Sequence, residues 1–506
     1  MLKNLKESKQ TGTFTLAPDK DVYGELTIDG KNTSLYLQDN DFFNTRSIQD
    51  ECIKGILQDL TKVTLLECII PPLPGSVSRG EQSFYFANVF PHYVIHGDHH
   101  IHPTEKNITS VNFVIDDATT LFYDFDAFGS LRDAHPFIKQ IAHANGLDRE
   151  ITIGPNPQIL YYTGKGEIFA AETVLGKISA SHRPSYNPEG PDGVSLKNTI
   201  FVAIDFKDLS TFEETISRTL TLLRYLEMLV GRPQNLLRLN ISIESDDERS
   251  ASLQVHMSHP PRRKTSGEGE RPYPSDVLLD AVQAPEACSQ VLANWLERQE
   301  DWHNARMRFS NSFAKQQHYD IDRLIGAANM FDILPSYALP QEIMFSDELK
   351  EAKKECINIF KKLSNKDERK RTLDSLGKIS KKSSLKYIIR HRCQKINQQV
   401  GERFPELDTV TDEAVNCRNY YVHGKGRKSP PFDYSNNPAA RAFFTNTLEF
   451  VFAASDLIEA GWDIKVWIKK GAMSHPFALY HVNYAQCLEK LKSLLSKKKR
   501  THEEKR

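Results

Sequence analysis

The strongest constraint on the fold of this 506-residue chain is a change of hydrophobic period near its middle. From about residue 12 to 256 the apolar residues come in short runs, β-branched and aromatic, separated by Asn, Asp, Gly and Pro. GTFTLAP, YGELTIDG, SLYLQD, KVTLLECII, QSFYFANVFPHYVIHG, TSVNFVIDD, TLFYDFDAFG, QILYYTG, TIFVAIDF and RLNISIES each read as a strand. Several alternate, which predicts sheets with one wet face. One helix interrupts them, Ser210–Gly231, opened by a Ser-Thr-Phe-Glu-Glu box and closed by Gly231-Arg-Pro.

Between Ser245 and Asp276 lies SDDERSASLQVHMSHPPRRKTSGEGERPYPSD, charged and rich in Pro, Gly and Ser apart from a strand-like Ser252–Met257. It reads as a linker. After it the period becomes helical, over roughly 277–317, 319–332, 345–364, 367–379, 383–402, 410–423, 438–460 and 474–496. The expected architecture is therefore α+β: a β-rich region over 1–270, an all-helical domain over 271–496 and a basic tail at 497–506.

Charge is divided in the same way. The whole chain carries −1, but residues 1–350 hold 33 Lys+Arg against 48 Asp+Glu, and residues 351–506 hold 32 against 18. A C-terminal third this basic points to a polyanion, most simply nucleic acid. The alternative is mutual neutralisation of the two halves. Seven scattered cysteines without a C-x-x-C pair argue against disulfides and zinc knuckles and suit a reducing compartment. MLKNLKESKQ has no apolar signal core and no run is long enough to span a bilayer, so a cytoplasmic protein without membrane contact is expected.

Within the helical half, NCRNYYVHGKG (416–426) carries the clearest chemistry. Thr409 with Asp412 reads as an N-cap pair and Gly424 as the stop, which puts Arg418, Asn419 and His423 in the last turn and a half. Cleaving RNA without a metal needs a group to move the 2′-OH proton, a fixed cation for charge growing on phosphate oxygens, and an acid for the 5′ oxygen. His423 can move protons near neutral pH, and the Arg418 fork matches phosphate. Asn419 can orient the imidazole or the phosphate. Looser Arg/His spacings at Arg298–His303 and Arg249–His256 lack the Asn and the helix end. Lys425, Arg427 and Lys428 follow directly, residues 351–395 hold 15 Lys+Arg against 5 Asp+Glu, and Tyr420 or Tyr421 can stack a splayed base.

RNYYVHG in a helical C-terminal domain resembles the R-N-x-x-x-H signature of HEPN domains, helical bundles of which many are metal-independent ribonucleases. The wider layout resembles the ApeA-like HEPN proteins of bacterial anti-phage defence: GTFTLAPDKDVYGELTIDG opening a β-rich half, then HYDIDRLIGAANMFDILP and RNYYVHG in a helical half. The resemblance implies an endoribonuclease acting by abortive infection on RNA, tRNA among the candidates, without metal or other cofactor. It implies Arg418 and His423 as the catalytic pair with Asn419 beside them, a homodimer whose two motifs share a cleft, and a phage-encoded trigger protein. A tyrosine two residues after the histidine, found in one HEPN subgroup, is replaced by Lys425.

Other readings compete. A non-catalytic HEPN-type protein would use the helices to dimerise or hold a nucleotide and the β-rich region to recognise a phage component. PHYVIHGDHHIHP gathers His92, His96, Asp98, His99, His100 and His102; alternation would put His100 and His102 on one strand face, with His96 and Asp98 completing a metal site, while the plainer reading is a histidine-rich hairpin turn. Asp116, Asp117, Asp124 and Asp126 could hold Mg²⁺ but read better as turn charges. Cys417 reads as a buried hydrophobe rather than a nucleophile. No Walker A loop, dinucleotide fingerprint or G-x-S-x-G elbow occurs.

Overall fold

The computed structural model describes residues 8–17, 20–45, 52–146, 150–187, 193, 195–244, 251–260, 272–341, 346–377, 384–424, 430–471 and 474–503, the last with side chains to 496. The chain divides into two compact units, Met1–Leu296 and Glu297–Arg506, the first built on a large antiparallel sheet and the second helical.

In the first unit the early strands are β1 (Ser8–Ala17), β2 (Lys20–Ile28), β3 (Ser34–Asp39), β4 (Ile53–Leu57), β5 (Lys62–Ile69), β6 (Gly75–Arg79) and β7 (Gln82–Gly97). Six of them close into a ring of antiparallel pairings, β1 to β2, β3, β7, β5, β4 and back to β1. Closure removes the open edges that invite aggregation. The alternation read from the sequence points inward: Phe14, Leu26, Leu35, Leu37, Ile53, Val63, Leu65 and Val89 are wholly buried inside the ring. Each contributes about 1.5–3 kcal/mol of transfer free energy. Phe14 fits only because Gly24 and Gly55 face it; a Cβ on Gly55 would come within 2.5 Å of its ring.

The 16-residue β7 serves two structures. Its first half pairs with β3 and β6, and its second half pairs with β5 and starts an open sheet. The later strands are β8 (Ile108–Ile115), β9 (Phe128–Arg132), β10 (Gln158–Tyr162), β11 (Glu167–Thr173), β12 (Gly176–Asn187), β13 (Ser195–Ser210), β14 (Leu236–Ile243) and β15 (Ala251–Met257). From β7 the sheet runs β15, β14, β8, β13, β12, β11, while β9 and β10 form a separate pair.

The helices of this unit are α1 (Ala118–Leu121), α2 (His135–Ala144), α3 (Phe212–Val230) and most of α4 (Pro285–Glu297). The expected box caps α3: Glu214 N–H donates to Thr211 Oγ1 at 3.2 Å and Thr211 N–H to Glu214 Oε2 at 2.9 Å, and Gly231 closes it at φ +84°. Tyr225 of α3 packs on Trp295 of α4, ring centroids 5.0 Å apart. The compact unit thus runs one helix past the linker.

Of TLFYDFDAFG only Phe128 and Gly129 lie in a strand, at the start of β9. Asp117 precedes the single turn of α1 because its carboxylate is taken by Arg232 (2.6 Å twice) and Gln234 (2.7 Å), and Asp116 accepts from Asn235. Asp124 accepts from Lys165 at 2.7 Å. These carboxylates anchor loops.

The histidine-rich stretch is not a hairpin turn between strands either, since β7 ends at Gly97 and no strand follows before Ile108. His100 Nδ1 lies 3.3 Å from Thr64 Oγ1 and His102 Nδ1 3.0 Å from Thr104 Oγ1, while His96 faces the sheet interior. Among the described residues no group of three His, Cys, Asp or Glu is placed to hold a metal ion.

The second unit contains α5 (Gln299–Phe313), α6 (Ile321–Asn329), α7 (Asp347–Lys361), α8 (Lys366–Gly377), α9 (Leu385–Val400), α10 (Leu407–His423), α11 (Pro438–Glu459), α12 (Ile464–Lys469) and α13 (Pro476–Glu503). The helix expected over 277–317 is broken at Arg298, the N-cap of α5, whose guanidinium turns to Asp456 at 2.9 Å. Trp302 lies fully buried among the guanidiniums of Arg298, Arg306 and Arg392, each 5.1–5.4 Å from its ring. Asp456 and Glu459 on α11 neutralise them. No helix among the described residues is long and apolar enough to cross a membrane.

His96 makes the first unit sensitive to mild acid. It is 8 % exposed, and burial, then neighbouring His256, hold its pKa near 4 against the partial counter-effect of Asp59. Keeping this ring neutral stabilises the fold fully above pH 6.5, and that stability is lost as pH falls towards 4, on the order of 2–3 kcal/mol. Denaturant melts followed by β-sheet circular dichroism should show this slope between pH 6.5 and 4, and His96→Leu should flatten it. An unchanged slope in the variant would mean that other groups carry it.

Candidate active site

Helix α10 is oriented by one stripe of buried residues, Leu407, Val410, Thr411, Ala414, Val415 and Cys417, that faces α6, α9 and α11. It starts two residues before the expected Thr409. Burying Leu407 draws the first turn inward, and Glu406 takes the left-handed conformation at φ +55° to turn the chain in. Thr409 stays exposed and Asp412 pairs with Arg390, so the expected cap pair does not form. At the other end His423 is the last helical residue, and Gly424 follows at φ +73°. Among the described residues no atom lies within 4 Å of where its Cβ would be, so conformation, not space, selects glycine there.

That rotation aims Arg418 at α6. Its Nη2 donates to Asn329 Oδ1 at 2.6 Å and its Nη1 to Asn419 Oδ1 at 2.9 Å, while Asp332 Oδ2 lies 3.8 Å from Nη2. Its Nε is buried and has no partner among the described residues. The side chain is only 16 % exposed. Two of its five N–H bonds are thus spent on fixing the plane, and one further N–H on each of Nη1 and Nη2 makes no hydrogen bond among the described residues. Burial raises the Asp332 carboxyl above its ordinary range more than Arg418 lowers it.

His423 is exposed at the rim. Arg418 and His423 are five residues apart, so they diverge by about 140° around the helix and are separated by about 7.5 Å along it. Asn419 is on the histidine's side by spacing, yet its carboxamide turns to the guanidinium, not the imidazole. Tyr420 and Tyr421 are half-buried and meet edge to face at 5.2 Å; Tyr420 also packs on Tyr434, whose hydroxyl donates to Glu413 at 3.1 Å. Lys425, Arg427 and Lys428 lie outside the described residues. Burial pushes the Cys417 thiol up to about 12, which keeps it protonated and unreactive.

Asn329 and Asp332 were not singled out from the sequence. Their signal is an Asn and an Asp three apart where the amphipathic pattern of RLIGAAN gives out, inside the HYDIDRLIGAANMFDILP stretch.

A family model described as ApeA N-terminal domain 1 matches residues 9–295, and one described as Apea-like HEPN matches residues 325–465. The second spans α10 together with Asn329 and Asp332. No curated protein and no solved structure matches the chain.

Replacing Asn329 by Ala should cost the helical unit about 1.5–3 kcal/mol in denaturant unfolding, the worth of a hydrogen bond to a charged donor. Asn329→Asp, which keeps an acceptor facing Arg418, should recover most of it. Equal losses in both variants would mean that the bond contributes little.

Proposed function

Because this chain belongs to the ApeA-like HEPN family, we propose that it acts in anti-phage defence as an endoribonuclease, with Arg418, Asn419 and His423 as the catalytic set. The observation that carries the reading is a guanidinium held in place by Asn329 and Asn419 in the last turns of the same helix that exposes the His423 imidazole at its end. His423 serves as the proton-transfer group on the 2′-OH or the 5′ oxygen. Arg418 binds the scissile phosphate and stabilises the charge that develops on its oxygens. Asn419 positions Arg418.

The reaction asks nothing of a metal, since proton transfer and charge stabilisation both come from side chains. In one such scheme His423 is the acid that protonates the 5′ leaving oxygen. A second group must then act as base. The divergence of Arg418 and His423 around α10 supports a homodimer in which a second copy supplies the complementary His423. Tyr420, Tyr421, Lys425, Arg427 and Lys428 are the proposed RNA contacts, with tRNA one candidate substrate. In this reading the sheet unit recognises a phage-encoded trigger.

Purified protein in excess EDTA should cleave RNA, and Arg418→Ala and His423→Ala should each lower the rate by about 10²-fold or more, the usual worth of such groups. Asn419→Ala should lose less. Light scattering should give the mass of a dimer. Activity that disappears on chelation, or that survives both substitutions, contradicts the reading.

A further inference from the structure

The helical unit has a cavity that the proposed reaction does not use. It has a volume of about 360 Å³, within the range of small-molecule sites, and opens between the start of α6, the first turns of α11 and the first turns of α13. Its floor is apolar and aromatic: Phe313, Phe443 and Tyr480 are each at most 5 % exposed. Its walls and mouth carry the carboxamides of Gln316, Gln317, Asn446, Asn483 and Gln486.

Arg323 is the one charged residue in this lining among the described residues, and its guanidinium is already engaged. Glu449 accepts from Nε at 2.9 Å and from Nη2 at 2.8 Å, and the carbonyls of Gln316 and His318 take Nη1. Tyr319 is held by that guanidinium 4.6 Å from its ring and by donating its hydroxyl to Asn446 Oδ1 at 3.0 Å. This bond leaves the Asn446 amide N–H groups for a ligand. Asn483 donates to the Leu479 carbonyl at 2.8 Å, which leaves its Oδ1 as an acceptor. Helix α11 starts at Pro438 without a side-chain cap, so the Ala439 amide is a further donor at the wall.

These features define the ligand's chemistry. An ion would be buried without a free counter-charge, and a purely apolar molecule would leave the carboxamides unpaired. A flat heterocycle with alternating donors and acceptors satisfies both walls, because carboxamides pair in plane with base edges and aromatic rings receive base faces. We propose that this cavity binds a nucleobase, presented either by a free nucleoside or by a nucleotide splayed from an RNA strand. The phosphate would stay outside, at the exposed mouth of Gln317, Asn483 and Gln486.

The site is separable from cleavage. Full-length protein carrying His423→Ala is titrated calorimetrically with adenosine, guanosine, cytidine and uridine, then with a tetranucleotide of the tightest-binding base. At least one nucleoside should bind saturably, one per chain. Asn483→Trp, which fills the mouth from an exposed helix face, and Gln486→Leu should each weaken it by 10-fold or more without moving the thermal melt. Tighter binding of the tetranucleotide assigns the site to an RNA strand; tighter binding of the nucleoside assigns it to a free ligand. No saturable binding of any nucleoside, or equal binding by both variants, overturns the proposal whether or not the unsubstituted protein cleaves RNA.

Discussion

The hydrogen bond from Arg418 to Asn329 joins two helices at the point where the chemistry is proposed, and the rest of the candidate site follows from it. An arginine on a helix surface has about 2 kcal/mol of rotamer entropy to lose before it can grip a phosphate. Here that ordering is done by folding, because Asn329 and Asn419 fix the guanidinium plane in the folded chain. The bond forms only if α10 has the right rotation about its axis, and the buried stripe from Leu407 to Cys417 sets that rotation. Gly424 then ends the helix with His423 at the rim.

Helix α6 can hold Arg418 because it is itself held. Near its start Arg323 is paired with Glu449 of α11, both almost wholly buried, and at its end Asn329 meets α10. A second buried set, Arg306 with Asp456 and Arg392 with Glu459, surrounds Trp302 and ties α5 and α9 to the same helix α11. Buried pairs of this kind add little net stability over apolar packing, but removing one partner costs several kcal/mol. Their use in this bundle is to fix register. A slip of α11 by one turn would move the carboxylates of Glu449, Asp456 and Glu459 away from four guanidiniums, those of Arg298, Arg306, Arg323 and Arg392.

Most of this was legible in the chain wherever the cause was local. The strand β7 and the strand β3 follow from alternation and bounding turns, and α3 from its box and its glycine. The end of α10 at His423 follows from Gly424. What escaped was set by distant partners. Closure of the ring needs β4 to meet β1 and β5 to meet β7, and β4, β6, β11, β12, the short β9 and the helices α2 and α12 have weak patterns of their own. TLFYDFDAFG read as a strand, yet the turn that leads into it is fixed by Arg232 on Asp117 and Asn235 on Asp116, more than a hundred residues away. Thr409 has the chemistry of a cap, but burial of Leu407 outweighed it. At the site Arg418, Asn419 and His423 were visible as a string, whereas the bond that orients the arginine crosses 89 residues.

The chemistry assigned to these residues has a signature in its products. When a side chain takes the 2′-OH proton and the 2′ oxygen attacks the adjacent phosphorus, the leaving group is the 5′ oxygen. The ends must then be a 2′,3′-cyclic phosphate, or the 3′-phosphate it hydrolyses to, and a 5′-hydroxyl. End-group analysis of RNA cut by the purified protein in EDTA is the most direct measurement. Cyclic or 3′-phosphate and 5′-hydroxyl ends are the result expected from His423 and Arg418, and 5′-phosphate with 3′-hydroxyl ends would contradict it.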